Sequence, residues 1–135
     1  LMLRLYNANT GEHFYTASKE EHDMLISKGW RSEGVGWYAP SVKTSAPVYR
    51  LYNAVGGEHH YTMSEQERNV LIGNGWKDEG IGWSSDTDES VPVYRQYNPN
   101  MFANNHNYTI DEKERDGLIA KGWKDEGIAW YGVKQ

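Results

Sequence analysis

Cysteine is absent from the 135 residues, which removes disulfide scaffolds, thiolate metal sites and cysteine nucleophiles together. Such a chain fits a reduced cytosol and equally an exported bacterial protein that avoids stray thiols. Long apolar runs are missing too, and none approaches the roughly 20 residues needed to span a bilayer. No basic cluster exists either. The 14 Lys and Arg against 19 Asp and Glu leave a net charge of −5, so neither nucleic acid nor an anionic membrane is an expected partner. The opening Leu1-Met2-Leu3 has no charged stretch leading into an apolar one, so no signal peptide is expected there. It also begins in mid-pattern, as a piece of something longer would. Phenylalanine is scarce at 2, yet there are 6 Trp and 10 Tyr, the aromatics that stack while keeping a polar handle wet. At roughly 100–200 residues per domain, the length gives one domain.

What is present is one unit written three times. The first copy reads Leu3-Arg4-Leu5-Tyr6-Asn7, Gly11-Glu12-His13-Phe14-Tyr15-Thr16, Gly29-Trp30 and Glu33-Gly34-Val35-Gly36-Trp37-Tyr38. The second gives Tyr49-Arg50-Leu51-Tyr52-Asn53, Gly57-Glu58-His59-His60-Tyr61-Thr62, Gly75-Trp76 and Glu79-Gly80-Ile81-Gly82-Trp83. The third gives Tyr94-Arg95-Gln96-Tyr97-Asn98, His106-Asn107-Tyr108-Thr109, Gly122-Trp123 and Glu126-Gly127-Ile128-Ala129-Trp130-Tyr131. Arg4, Arg50 and Arg95 are 46 and 45 residues apart, which sets a single domain of repeats at 1–46, 47–91 and 92–135. The third copy has two extra residues between Asn98 and His106, so its first hairpin loop is longer.

Each unit predicts a hairpin, a short helix and a strand. Arg-x-Tyr-Asn runs into turn residues and His-x-Tyr-Thr returns. Ser18, Ser64 and Asp111 each have a Glu three residues on, the capping-box spacing at a helix start. The helices are expected to bury Leu25-Ile26, Leu71-Ile72 and Leu118-Ile119. They should stop at Gly29, Gly75 and Gly122 in a Schellman motif that sets the following Trp against a Leu. No unit can bury its apolar face alone, so stacking is required. The expected fold is a β-rich α+β domain in which three ββαβ repeats close into a pseudo-threefold toroid, three-bladed and propeller-like. The alternative is a β-trefoil.

These motifs, taken as a set and spanning nearly the whole chain, resemble a bacterial repeat family of unassigned function. That family recurs near the ends of exported proteins, often peptidoglycan hydrolases of Gram-positive bacteria and phage endolysins. The resemblance implies a secreted or wall-associated accessory module that holds an attached catalytic domain at cell-wall polysaccharide or peptidoglycan. It supplies no catalytic residues and no cofactor. The chain departs from the pattern at Ser84, where the other copies carry Tyr38 and Tyr131, and in the loop 99–105.

Sugar binding needs a ring to stack on and amides or imidazoles for hydroxyls. The candidates are therefore Asn7, His13, Trp37 and Tyr38, then Asn53, His59 and Trp83, then Asn98, His106, Trp130 and Tyr131. Trp30, Trp76 and Trp123 are assigned to packing at the helix ends. Three histidines on an axis could hold zinc, but no second ligand type recurs at ligand spacing, so no metal is expected. Glu33, Glu79 and Glu126 are triplicated, whereas an acid and base pair is asymmetric; capping backbone N–H groups or pairing with Arg4, Arg50 and Arg95 is the expected role. The module itself is thus read as non-enzymatic. The other readings are a structural or protein-interaction domain and, last, a small glycan hydrolase.

Overall fold

The computed structural model describes residues 1–99 and 106–134, so the longer third hairpin loop lies largely outside the described residues. The first repeat is β1 (Met2–Asn7), β2 (Glu12–Thr16), α1 (Lys19–Ser27) and β3 (Arg31–Trp37). The second is β4 (Pro47–Asn53), β5 (Glu58–Thr62), α2 (Glu65–Gly73) and β6 (Lys77–Ser84). The third is β7 (Val91–Tyr97), β8 (His106–Thr109), α3 (Glu112–Ala120) and β9 (Lys124–Gly132). Each repeat makes its own three-stranded antiparallel sheet, with the first strand central, as in β2-β1-β3. The domain is β-rich, with three matching sheets and three helices among the described residues.

Cross-strand register decides which side chains share a face. Arg4 lies opposite Tyr15 and Tyr6 opposite His13, while Leu5 lies opposite Phe14 on the other face. The last strand of each unit slips register twice against the central one. At one slip Gly34, Gly80 and Gly127 take φ of 80°, 85° and 80°, a backbone that a Cβ would oppose. Such bulges re-aim neighbouring side chains, and the residue before each glycine is the Glu that meets the Arg of its own repeat. Arg4–Glu33, Arg50–Glu79 and Arg95–Glu126 each close at 2.9 Å, the pairing the sequence leads one to expect.

Both helix ends form largely as expected. The side chains of Ser18 and Ser64 accept from the backbone N–H groups of Glu21 and Glu67, each at 3.1 Å; Asp111 accepts from Lys113 N–H at 2.9 Å. The reciprocal half of the capping box is taken by other groups. The N–H of Ser18, Ser64 and Asp111 donates to Thr16, Thr62 and Thr109 Oγ1, all at 3.0 Å. This frees the N3 glutamates for work elsewhere. At the other end Trp30 N–H reaches Leu25 O and Gly29 N–H reaches Ile26 O, both at 3.0 Å. With Gly29 at φ 100° this is the Schellman stop. The helices bury less than expected. Leu25, Leu71 and Leu118 are half-buried, but Ile26, Ile72 and Ile119 are exposed and no helical residue is fully buried. Adjacent positions lie about 100° apart around the axis, so a nine-residue helix seated through its Leu leaves the next residue in water.

The core is shared by the three sheets. Each repeat contributes an aliphatic residue (Met2, Val48, Val93), a tyrosine (Tyr15, Tyr61, Tyr108) and a tryptophan (Trp37, Trp83, Trp130). The tyrosine rings touch in all three pairings, with centroids 5.3–5.7 Å apart. The tryptophans do the same at 5.4–5.8 Å. Each unit therefore contacts both others. Tyr15 N–H donates to Tyr61 OH at 3.1 Å and Tyr108 N–H to Tyr15 OH at 3.0 Å, so backbone donors of one unit end on hydroxyls of the next. The third hydroxyl, on Tyr108, is buried and takes no backbone donor, with the Arg95 guanidinium as its neighbour.

That asymmetry has an energetic signature. Tyr15→Phe and Tyr61→Phe each leave a buried N–H without an acceptor, which costs about 1–3 kcal/mol. Tyr108→Phe removes a hydroxyl that accepts no backbone N–H and should cost less than either. Urea unfolding of the three variants checks this; equal losses in all three would contradict it.

Candidate functional site

The residues expected to bind ligand are not brought together as a set. Trp37, Trp83 and Trp130 are 1%, 7% and 1% exposed and form the axial core, so their rings offer no face to a sugar; this corrects their assignment. Strand alternation requires that one of Trp37 and Tyr38 points inward, and the tryptophan does, because the axis of three converging sheets takes the largest apolar ring. Tyr38 and Tyr131 remain half-buried at strand ends, with Val133 N–H on Tyr38 O at 2.7 Å and Tyr131 N–H on Ser85 Oγ at 2.9 Å. Ser84, in the place of the third tyrosine, is buried and accepts from Thr44 N–H at 3.1 Å. Asn7 and Asn53 make turns: their Oδ1 atoms accept from the N–H of Asn9 and Val55 at 2.9 and 3.1 Å. Asn98 directly follows β7, close to the undescribed segment.

The recurring histidines lie near the inter-repeat junctions. Each ring packs on a tyrosine of its own hairpin, in the pairs Tyr6–His13, Tyr52–His59 and Tyr97–His106, with centroids 4.8–5.1 Å apart. Each also flanks the Glu of its Arg–Glu pair, at 3.5, 3.5 and 3.2 Å. His59 Nδ1 lies 2.6 Å from Glu12 of the first repeat. Among the described residues no group of three His, Cys, Asp or Glu is placed to hold a metal ion.

A site emerges where the repeats stop being equivalent. At the first junction Phe14 is buried, edge-on to Trp30 and His59 and under the Arg50 guanidinium, and plugs the space between repeats one and two. The N3 Glu21 clasps Arg50 at 3.1 and 3.3 Å. Between repeats three and one Asn107 is the plug, donating to Gln96 at 3.0 Å and Glu114 at 2.8 Å, while Glu114 takes Arg4 at 2.9 Å. Between repeats two and three the equivalent position is His60. Its Nε2 lies 2.9 Å from Glu67 Oε1, its ring meets His106 edge-on at 5.2 Å, and Trp76 stands 6.3 Å away. The N3 glutamate has gone to the histidine, and no Arg95–Glu67 ion pair forms. A cleft of about 300 Å³ results, lined by Glu58, His59, His60, Glu67, Leu71, Trp76, Arg95, His106 and Glu126. Only His59 and His106 of this lining belong to the sequence-derived set. The missed signal was the triple Phe14, His60, Asn107, whose cross-strand partners change from Leu5 and Leu51 to Gln96.

The electrostatics follow from burial and contact. Burial, with repulsion from His60 and Arg95, pushes His106 down to about 3. The hydrogen bond from His60 holds the Glu67 carboxyl at about 2 against the opposing effect of burial. The cleft at neutral pH thus offers one uncharged imidazole, an ionised carboxylate and a guanidinium beside a half-exposed indole.

Three β-hairpin–helix–strand units around one aromatic core, with a histidine- and tryptophan-lined cleft between the second and third, define a triple-repeat β-rich domain. Over residues 1–133 the chain matches the family described as a domain of unknown function, DUF5648, and it belongs to that family. No curated protein and no solved structure matches it.

The site makes stability pH-dependent. An unfolded histidine takes its proton near 6.5, whereas folded His106 resists until about 3. Between those values the unfolded chain binds more protons, so stability falls as pH drops through that window. Glu67, at about 2 against 4.5 unfolded, extends the loss to lower pH with the same sign. His106→Asn should flatten the decline in melting temperature between pH 6.5 and 4.5. A residual slope should stay, because burial lowers His13 as well. An unchanged profile in calorimetry would contradict the assignment.

Proposed function

We propose that this domain is a non-catalytic targeting module that seats a cell-wall glycan in the cleft between its second and third repeats. It would belong to a secreted bacterial or phage cell-wall hydrolase and act outside the cell or on the wall. The observation that carries this reading is the cleft itself: a half-buried Trp76 beside carboxylate, imidazole and guanidinium groups, at the one junction that Phe14 or Asn107 does not plug. An indole face suits the C–H face of a sugar ring, and mixed donors and acceptors suit its hydroxyls. The volume fits a small saccharide unit. Closure of the repeats into a three-bladed toroid belongs to the same proposal. It is supported by Arg4–Glu114 and by Tyr108 N–H on Tyr15 OH, which join the last repeat to the first.

A non-catalytic role is supported by the carboxylates. Glycoside hydrolysis requires a carboxylic acid that still carries its proton near neutral pH. Glu67 is shifted the opposite way, and Glu126 is tied to Arg95 at 2.9 Å. A second reading, a protein-interaction domain, draws on Val35, Ile81 and Ile128, an apolar residue exposed at the same place in each repeat.

Retention of the purified domain on bacterial cell walls, with and without their secondary polymers, separates the two readings. Wild type should be retained. Trp76→Ala should weaken retention about tenfold, the equivalent of about 1.4 kcal/mol, with circular dichroism unchanged. Trp30→Ala, the same change at a plugged junction, should leave retention intact. Equal retention of both variants, or none for wild type, would overturn the glycan site.

A further inference from the structure

The domain carries an internal record of what its open cleft accepts. In every repeat the Arg Nε of the central strand lies 2.9 Å from the Glu of its own last strand. In two of the three, the terminal guanidinium nitrogens then take a carboxylate from the preceding repeat. Glu21 receives Arg50 through both nitrogens at 3.1 and 3.3 Å, and Glu114 receives Arg4 at 2.9 Å. In the third, Glu67 is drawn to His60, and the terminal nitrogens of Arg95 have no ion-pair partner among the described residues. Arg95 faces the cleft. A carboxylate subsite thus occurs three times, filled from within at two junctions and without a second carboxylate at the one where Arg95 otherwise neighbours the Tyr108 hydroxyl.

Resting on the reading that this cleft is the ligand site, we infer that its ligand carries a carboxylate, seated on the terminal nitrogens of Arg95 where Glu21 sits on Arg50. A planar guanidinium edge recognises carboxylate or phosphate in paired fashion. The surroundings choose between those two. Glu58, Glu67 and Glu126 line the same cleft, so a singly charged carboxylate meets less repulsion than a phosphate of nearly twice the charge. Trp76, on the same wall, would cover a ring attached to that carboxylate. The ligand class is an acidic sugar, and His60 is the positioning residue that keeps the subsite open by holding Glu67 away.

The three arginine Nε–Hε resonances report on this directly. Sodium acetate, added at constant ionic strength and pH 7, should shift Arg95 saturably and leave Arg4 and Arg50 in place; inorganic phosphate should bind more weakly. N-acetylmuramic acid should bind at least tenfold tighter than N-acetylglucosamine, which shares the ring but lacks the carboxylate. His60→Phe, copying the first junction, should return Glu67 to Arg95 and abolish the acetate shift while keeping or raising the melting temperature. An unmoved Arg95, equal movement of all three arginines, tighter phosphate binding or a His60→Phe variant that still takes acetate would each overturn the inference. Equal affinity for the two sugars with walls still retained would overturn it and leave the glycan reading standing. Loss of wall retention by wild type would remove that reading, and the acetate titration would then decide this one by itself.

Discussion

The structure depends on aromatic rings that no single repeat can cover. A three-stranded sheet with one short helix has one protected flank, and Tyr15 with Trp37 would lie open on the other without Tyr61, Tyr108, Trp83 and Trp130. Burying large aromatic side chains is worth several kcal/mol each when the alternative is a cavity, so folding and assembly of the three units are one event. Polar groups are tied to the same geometry. The hydroxyl of Tyr61 accepts a backbone donor of repeat one, and that of Tyr15 accepts one of repeat three. The axis thus fixes the angles at which neighbouring sheets meet. Those angles bring the N3 glutamate of one helix to the arginine of the next sheet.

Given that frame, the rim is free to vary. The inter-repeat clasp joins partly buried charges, and such pairs gain most when every hydrogen-bonding atom is used. Arg50 achieves this with Glu79 on one edge and Glu21 on the other. Exchanging Phe14 for its counterpart His60 gives up a ring that fills space and diverts the glutamate from the clasp. The loss is local, since the second and third units remain joined through Asp86 N–H on Tyr131 O at 2.9 Å and through the axial rings. Asn107 shows a third solution at the same position, a polar plug bonded on two sides.

The fold was legible where a residue type has one physical use. Gly before Trp after a run of helix formers gave the Schellman stop in all three copies, because only a residue tolerant of positive φ ends a helix that way. The Arg–Glu pairs were legible because triplication suits structure better than an acid and base. Orientation was not legible. Alternation says that Trp37 and Tyr38 face opposite sides, but not which side is the axis, and two register slips in the last strand shift the phase that a simple count assumes. The site was the least legible of all. It hinges on one departure from the motif, and only the register of His60 opposite Leu51 places that residue at a junction.

The cleft is made largely of shared residues set free by one departure. Arg95, Trp76, His106 and Glu126 have counterparts in every copy, and what differs at this junction is His60 in the place of Phe14 and Asn107. A threefold molecule with identical junctions would have three clefts or none. Three would surrender every inter-repeat clasp and leave the sheets joined by the axial core and strand-end bonds alone. None would leave no place for a ring and its polar groups. One histidine where the other copies carry phenylalanine and asparagine keeps two clasps and opens the polar cleft beside Trp76. On the proposed reading one such cleft serves one domain, so avidity for a polymeric surface would come from tandem modules or an attached partner rather than from the repeats within one.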